Sequence, residues 1–155
     1  MKFSALAATI GLAQAGFPSF DSFHAHCQID YTVDASCADT YTLFDSTLTG
    51  FVDIASPKGV YKPKSKSAPT EIWNTRLTAN GKYTDDVRFN FKDNGAKCDI
   101  TAQSRSQSLS YYDYSVNYCN MFNVMRSAYP ELQISQVKNS KCGYPASDMA
   151  TCDRY

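Results

Sequence analysis

The sequence predicts an α+β fold: one curved antiparallel sheet of about five strands with two helices on one face, in the order β-α-β-β-β-β-α. Three observations carry this. Residues 23–33 alternate apolar and polar with period two. Residues 37–51 switch to apolar spacings of four and three. After Pro57 alternating runs return, separated by Asn80-Gly81 and Asp93-Asn94-Gly95, and then give way to a second helical stripe.

The first strand is "FHAHCQIDYTV", 23–33. Phe23, Ala25, Cys27, Ile29, Tyr31 and Val33 share one face, and His24, His26, Gln28, Asp30 and Thr32 the other. Two histidines and a cysteine within four positions suggest a metal site. The alternation argues against one, because Cys27 points to the core and both histidines point away. A His24/His26 pair with Asp30 nearby is what remains, and a solvated strand face is the better reading, so no metal is expected. The first helix follows. Cys37, Tyr41, Phe44, Leu48 and Phe51 form its apolar face, Ser36 is the N-cap with Asp39 at N3, and Gly50 suits the C-terminal cap.

Beyond Pro57, Val60-Tyr61 opens a short strand, while Lys58, Lys62, Lys64 and Lys66 read as a solvated loop. Residues 70–79 put Trp73, Thr75 and Leu77 on one face. Asn80-Gly81 is a hairpin signal. Residues 83–92 turn Tyr83, Asp85, Val87, Phe89 and Phe91 inward. Residues 97–107 place Cys98, Ile100, Ala102, Ser104 and Ser106 on one face. In "YYDYSVNYCNMFNVMRSAYP", 111–130, Tyr114, Tyr118, Met121, Phe122, Met125 and Tyr129 make an apolar stripe, and Asp113, Asn117 and Asn120 a polar one. Pro130 ends it. Leu132, Ile134 and Val137 suggest an edge strand before an irregular, disulfide-tethered tail.

The chain starts Met1-Lys2-Phe3, continues apolar to Leu12, and reaches Ala13-Gln14-Ala15. A basic start, a short apolar core and a small-x-small site predict a signal peptide over 1–15. The run is too short for a membrane-spanning helix. Residues 16–155 then form a single secreted, extracellular domain. Removing Lys2 from 15 basic residues leaves 14 against 15 acidic ones, a net charge of −1. With no charged tail, neither nucleic acid nor anionic membrane is an expected partner.

Six cysteines, Cys27, Cys37, Cys98, Cys119, Cys142 and Cys152, behind a signal peptide predict three disulfides among fifteen pairings. Cys27 to Val33 spans roughly 20 Å of strand, which disfavours Cys27–Cys37. A local Cys142–Cys152 clip is open.

Around Tyr83-Thr84-Asp85-Asp86-Val87 and Asp113-Tyr114-Ser115-Val116-Asn117-Tyr118-Cys119-Asn120, the chain resembles small secreted cysteine-containing proteins of unknown function from aquatic protists and invertebrates, with Y-x-D-D and D-Y-x-x-N-Y-C-N motifs. That resemblance runs from Cys27 to Tyr155. More remotely, 83–120 resembles a family of unknown function with D-D-V, R-S-x-S-R and D-x-G-x-N-x-x-R. There Gln103 and Gln107 stand for two family arginines, Ser115 for the glycine and Asn120 for the last arginine. The resemblance implies secretion and fold, not a reaction.

No G-x-S-x-G, H-E-x-x-H or phosphate-binding glycine loop occurs, and no cofactor is expected. The leading expectation is a non-enzymatic binding module with a groove between the sheet and the second helix. Asp85, Ser104 and Ser106 would meet the polar end of an apolar or amphipathic ligand, and Tyr114 and Tyr118 its body. Arg105, Tyr111, Tyr112, Asp113 and Asn117 form a second candidate surface, for a partner or a glycan. A self-assembling structural protein and an acid hydrolase using Asp85 and Asp113 are the alternatives.

Overall fold

The computed structural model describes residues 16–53, 56 and 58–155. The proposed signal peptide, residues 1–15, lies outside them. Strands β1 (His26–Val33), β2 (Val60–Ser67), β3 (Glu71–Leu77), β4 (Thr84–Asn94), β5 (Lys97–Ser106) and the two-residue β6 (Lys138–Asn139) make one antiparallel sheet, in the order β2-β3-β4-β5-β1-β6. Helices α1 (Cys37–Thr49) and α2 (Val116–Ala128) pack side by side on its inner face, and the short α3 (Met149–Cys152) lies against α2.

Alternation sets the faces. In β5 every second residue from Cys98 to Ser106 is buried, and in β4 Asp85, Val87, Phe89 and Phe91 are. Register then lines these residues into rows across the sheet. Ile72, Phe89, Ala102 and Ile29 form an apolar row. Phe44 of α1 caps it, edge-on to Phe89 and Phe91 at 5.1 and 5.3 Å, and such pairs contribute about 0.5–1.5 kcal/mol beyond area burial. Two rows further along the strands the inner face turns polar: Arg76, Asp85 and Ser106 stand side by side.

The α1 signals act as expected. Ser36 accepts from the Asp39 N–H and donates to its carboxylate. Gly50 ends the helix right-handed, at φ −77°, without the left-handed cap. The β4–β5 turn is a two-residue Gly95-Ala96 loop closed by the Asn94–Lys97 pair, with Gly95 at φ 67°. Gly59 is obligatory for a different reason. At φ 74°, a Cβ there would lie 2.3 Å from the Leu77 carbonyl oxygen.

Three disulfides join Cys27 to Cys142, Cys37 to Cys98 and Cys119 to Cys152. All six cysteines are paired. Cys152 reaches α2, so the local Cys142–Cys152 clip is wrong: Cys142 lies beside β1, where the Gln28 N–H bonds to the Lys141 carbonyl. Three further expectations give way. The strand that opens at Val60-Tyr61 does not give way to a loop but continues through Lys62, Lys64 and Lys66 to Ser67 as β2. Lys64 pairs with Asp86 and lies 4.0 Å from the Trp73 ring centroid, and Lys66 pairs with Asp45. The segment around Leu132, Ile134 and Val137 makes a 3₁₀ turn at Ile134–Gln136, and pairing with β1 is left to β6.

The third correction concerns the histidines. Neither stands free in solvent. Residues 16–25 fold back over the outer sheet face. Phe17 lies 5.6 Å from Trp73 and 4.5 Å from the Arg88 guanidinium, and Phe20 stacks on His26 at 4.3 Å. Asp21 takes bonds from Arg105 and from the His24 ring. Period two placed the histidines on the outer face correctly. It carried no information about what covers that face.

Candidate binding site at the polar end of the sheet–helix interface

The inner-face row Arg76–Asp85–Ser106 meets the N-terminus of α2. Asp85 and Arg76 are each only 2% exposed. The Asp85 carboxylate accepts from Ser106 Oγ and from Asn120 Nδ2, both at 2.8 Å, and Arg76 Nη1 stands 3.9 Å away. Arg76 Nε donates to the Lys58 carbonyl at 2.9 Å, and Tyr61 Oη donates to the Asn120 carbonyl at 2.7 Å. Burial pushes the Asp85 carboxyl up from its ordinary range, against the pull of Asn120, Ser106 and Arg76. Burial likewise raises the Tyr61 hydroxyl, and it pushes Tyr118 up to about 12.

From Asp85 the hydrogen bonds continue. Asn120 Nδ2 also reaches Ser104 Oγ at 3.1 Å, Ser104 donates to Asn117 Oδ1 at 2.7 Å, and Asn117 Nδ2 donates to Asp113 at 2.8 Å. The polar stripe of α2 therefore faces the polar end of the sheet, not solvent. Such a network holds its members in one geometry.

Asp113, two residues before the N-cap Ser115, supplies the capping bonds that Ser115 itself does not make. It accepts from the Ser115 and Asn117 N–H groups. The helix starts later than the stripe suggests, because Tyr114 and Ser115 take left-handed backbone at φ 50° and 71°. That turn decides the site. It swings Tyr114 out to 75% exposure, where helical continuity would have pointed it at the sheet. Tyr83, expected inward, is also exposed, one residue before β4 begins.

A cavity of about 250 Å³ opens where this network reaches the surface. Asp85, Ser106 and Asp113 line it with Tyr83, Leu109, Tyr112, Tyr114 and Val116. Among the described residues, nine large apolar side chains are exposed. Seven of them, Phe23, Tyr83, Leu109, Tyr111, Tyr112, Tyr114 and Tyr144, gather around the segment 107–115. The Ser110 N–H bonds to the Phe23 carbonyl, and Tyr144 packs on Tyr112 at 5.7 Å. Exposed apolar side chains scattered singly need no explanation, but these stand together.

The predicted groove residues thus divide. Asp85, Ser106 and Tyr114 meet at the cavity. Ser104 and Tyr118 do not: both are buried beneath it, Tyr118 against Phe122. The second predicted surface divides too. Tyr111 and Tyr112 are exposed, whereas Asn117 is buried and Arg105 is bonded to Asp21 on the opposite sheet face. Sequence reasoning missed Arg76 and Leu109. A signal for the rim existed: "SQSLSYYDYS", 106–115, has the Ser- and Tyr-rich make-up of recognition loops.

A larger trough, about 750 Å³, lies on the outer sheet face. Four of its side chains pair with one another, Thr101 with Asp30 and Thr32 with Asp99, and it holds none of the exposed aromatics. Among the described residues no group of three or more His, Cys, Asp or Glu side chains could hold a metal, and no helix is long and apolar enough to cross a membrane.

No family model and no curated protein matches the chain. Among solved structures it is similar to CalU16 from Micromonospora echinospora, with a TM-score of 0.46 and 11% sequence identity, over 68% of this chain and 73% of that one. A likeness of that size carries no inference about function.

Proposed function

We propose that the chain is a secreted, non-enzymatic binding module that takes a small amphipathic ligand at the tyrosine-rimmed end of the α2–sheet interface. One observation carries the reading: the 250 Å³ cavity lies at the centre of the exposed aromatic cluster and has a polar floor fixed by hydrogen bonds. Ligand sites combine apolar walls with a few placed polar groups, and this cavity lies just below their usual range of about 300–1,000 Å³. Three disulfides fit an oxidising compartment such as the extracellular space, in keeping with the predicted signal peptide and with the resemblance to small secreted cysteine-containing proteins. Asp113 is engaged as a helix cap and Asp85 is bonded on both oxygens, which favours binding over hydrolysis by this pair.

The test is an amide NMR screen of the disulfide-intact chain against neutral, anionic and cationic fragments. Hits should shift Tyr83 and residues 106–116. Hits confined to other surfaces would sink the reading. So would light scattering that finds a concentration-dependent dimer abolished by Tyr112→Ser with Tyr114→Ser, because the aromatic cluster would then be a self-association surface.

A further inference from the structure

Resting on that reading, we propose that the cavity selects an organic cation, an alkylammonium head carried on a short apolar body. The charge of the lining favours a cation. The residues lining the cavity include Asp85 and Asp113 and no Lys, Arg or His. Lys82, in the neighbouring turn, is exposed and does not line it. Arg76 lies on the far side of the floor, 2% exposed and bonded to the Lys58 carbonyl, and Arg105 is committed to Asp21 on the other face of the sheet. The Arg76 guanidinium, 3.9 Å from Asp85, offsets that carboxylate, so Asp113 supplies the site's negative charge, and an anion entering here would meet it with no Lys, Arg or His on the lining.

The rim favours a cation too. Tyr83, Tyr112 and Tyr114 all line the mouth and are all more than half exposed. Tyrosine π faces attract cations, and groups of aromatic rings are the usual receptors of alkylated ammonium ions. Among the described residues no cation lies over any of the three rings, in contrast to Phe17, Phe51, Trp73 and Phe122, each of which has a Lys or Arg over it. Leu109 and Val116 offer the apolar body a place on the same wall. Asp113 acts as a charge on the hydrogen-bonded floor, and the rings act by contact.

The experiment uses three probes of nearly one shape: choline, its uncharged isostere 3,3-dimethylbutan-1-ol, and the anion 3,3-dimethylbutanoate. Each is titrated into the disulfide-intact chain while the amides of Tyr83 and 106–116 are followed. Choline should bind about 5- to 30-fold more tightly than the uncharged isostere, the range expected of cation–π attraction in a partly desolvated site. Tyr114→Leu, at an exposed position that leaves the fold intact, should weaken choline about 3-fold or more beyond any change it makes to the isostere. Equal binding of choline and the isostere, or tighter binding of the anion at the same amides, would overturn the cation proposal and leave the binding-module reading standing. If no probe moves these amides, and the broader fragment screen also fails there, both fall.

Discussion

Asp85-Asp86 and Arg105-Ser106 are neighbouring dipeptides on paired strands, and each sends one side chain through the sheet to either face. The inner face receives Asp85 and Ser106, and the outer face Asp86 and Arg105. Both faces thus build an aspartate–arginine cluster from the same rungs of the ladder, Asp85 with Arg76 inside and Asp21 with Arg105 outside. The two aspartates nevertheless respond in opposite directions. Burial raises the Asp85 carboxyl, while bonds from Arg105 and His24 hold Asp21 far below the usual carboxylate range. Asp21 remains a third exposed and Asp85 hardly at all. Partners favour the charged form in both places, so access to water decides the sign. The inner cluster is therefore a cost that the fold retains beneath the cavity. The outer one fastens the N-terminal segment.

The largest effect should come from breaking the inner pair. Asp85→Ala leaves the Arg76 guanidinium buried without its carboxylate and should cost about 3–5 kcal/mol in urea denaturation. Replacing both, with Asp85→Leu and Arg76→Met, should recover most of that loss, because an apolar pair of similar volume avoids both desolvation penalties. A double variant as unstable as Asp85→Ala would show that the network, not the pair, sets the cost. Next in size is the disulfide that ties α2 to α3. Cys119→Ser with Cys152→Ser should lose about 2–5 kcal/mol by thermal or chemical unfolding.

Stability against pH sharpens the contrast. Asp85 binds its proton more tightly when folded, so its contribution is fullest below the unfolded value near 4 and declines as pH rises through the raised folded value. Asp21 binds its proton less tightly when folded, so its contribution is present above about pH 4 and is lost on acidification towards its depressed value. Compared with the parent chain, Asp85→Asn should flatten the loss above pH 4, and Asp21→Asn the loss below it. If both variants change the same limb, water access is not what separates the two sites. At neutral pH Asp21→Asn should destabilise clearly less than Asp85→Ala in the same urea experiment, because screening by water weakens an exposed pair. The smallest effect belongs to the cavity rim. Leu109→Ser and Tyr114→Ser remove exposed side chains and should each change stability by no more than about 0.5 kcal/mol, while abolishing ligand-induced shifts at residues 106–116.

Half of the candidate site was legible before the fold. Parity alone turned Asp85, Ser104 and Ser106 inward, and the polar stripe of α2 announced Asn117 and Asn120. Their meeting needed the register that sets Asp85 beside Ser106 and Arg76. Arg76 escaped notice because Trp73 dominates its strand, and the side of that strand bearing Ile72, Asn74 and Arg76 is the one that faces the helices. Tyr114 was misplaced because two left-handed residues interrupt a stripe that periodicity reads straight through.

Taken alone, the sequence determined what neighbours along the chain enforce. Alternation fixed which side of β1, β4 and β5 is buried, Ser36 and Asp39 fixed the start of α1, and six cysteines fixed an oxidised framework. These are matters of dihedral preference and side-chain period, and they act within a turn or two. Tertiary structure decided which cysteines pair, that residues 16–25 lie on the outer face over His26 and Trp73, that β2 runs on through the lysines to Ser67, and that the polar end of the sheet opens to solvent between Tyr83 and Tyr114. Each joins residues tens of positions apart, whose approach depends on strand register and on helices packing over a shared core, and no local preference encodes that.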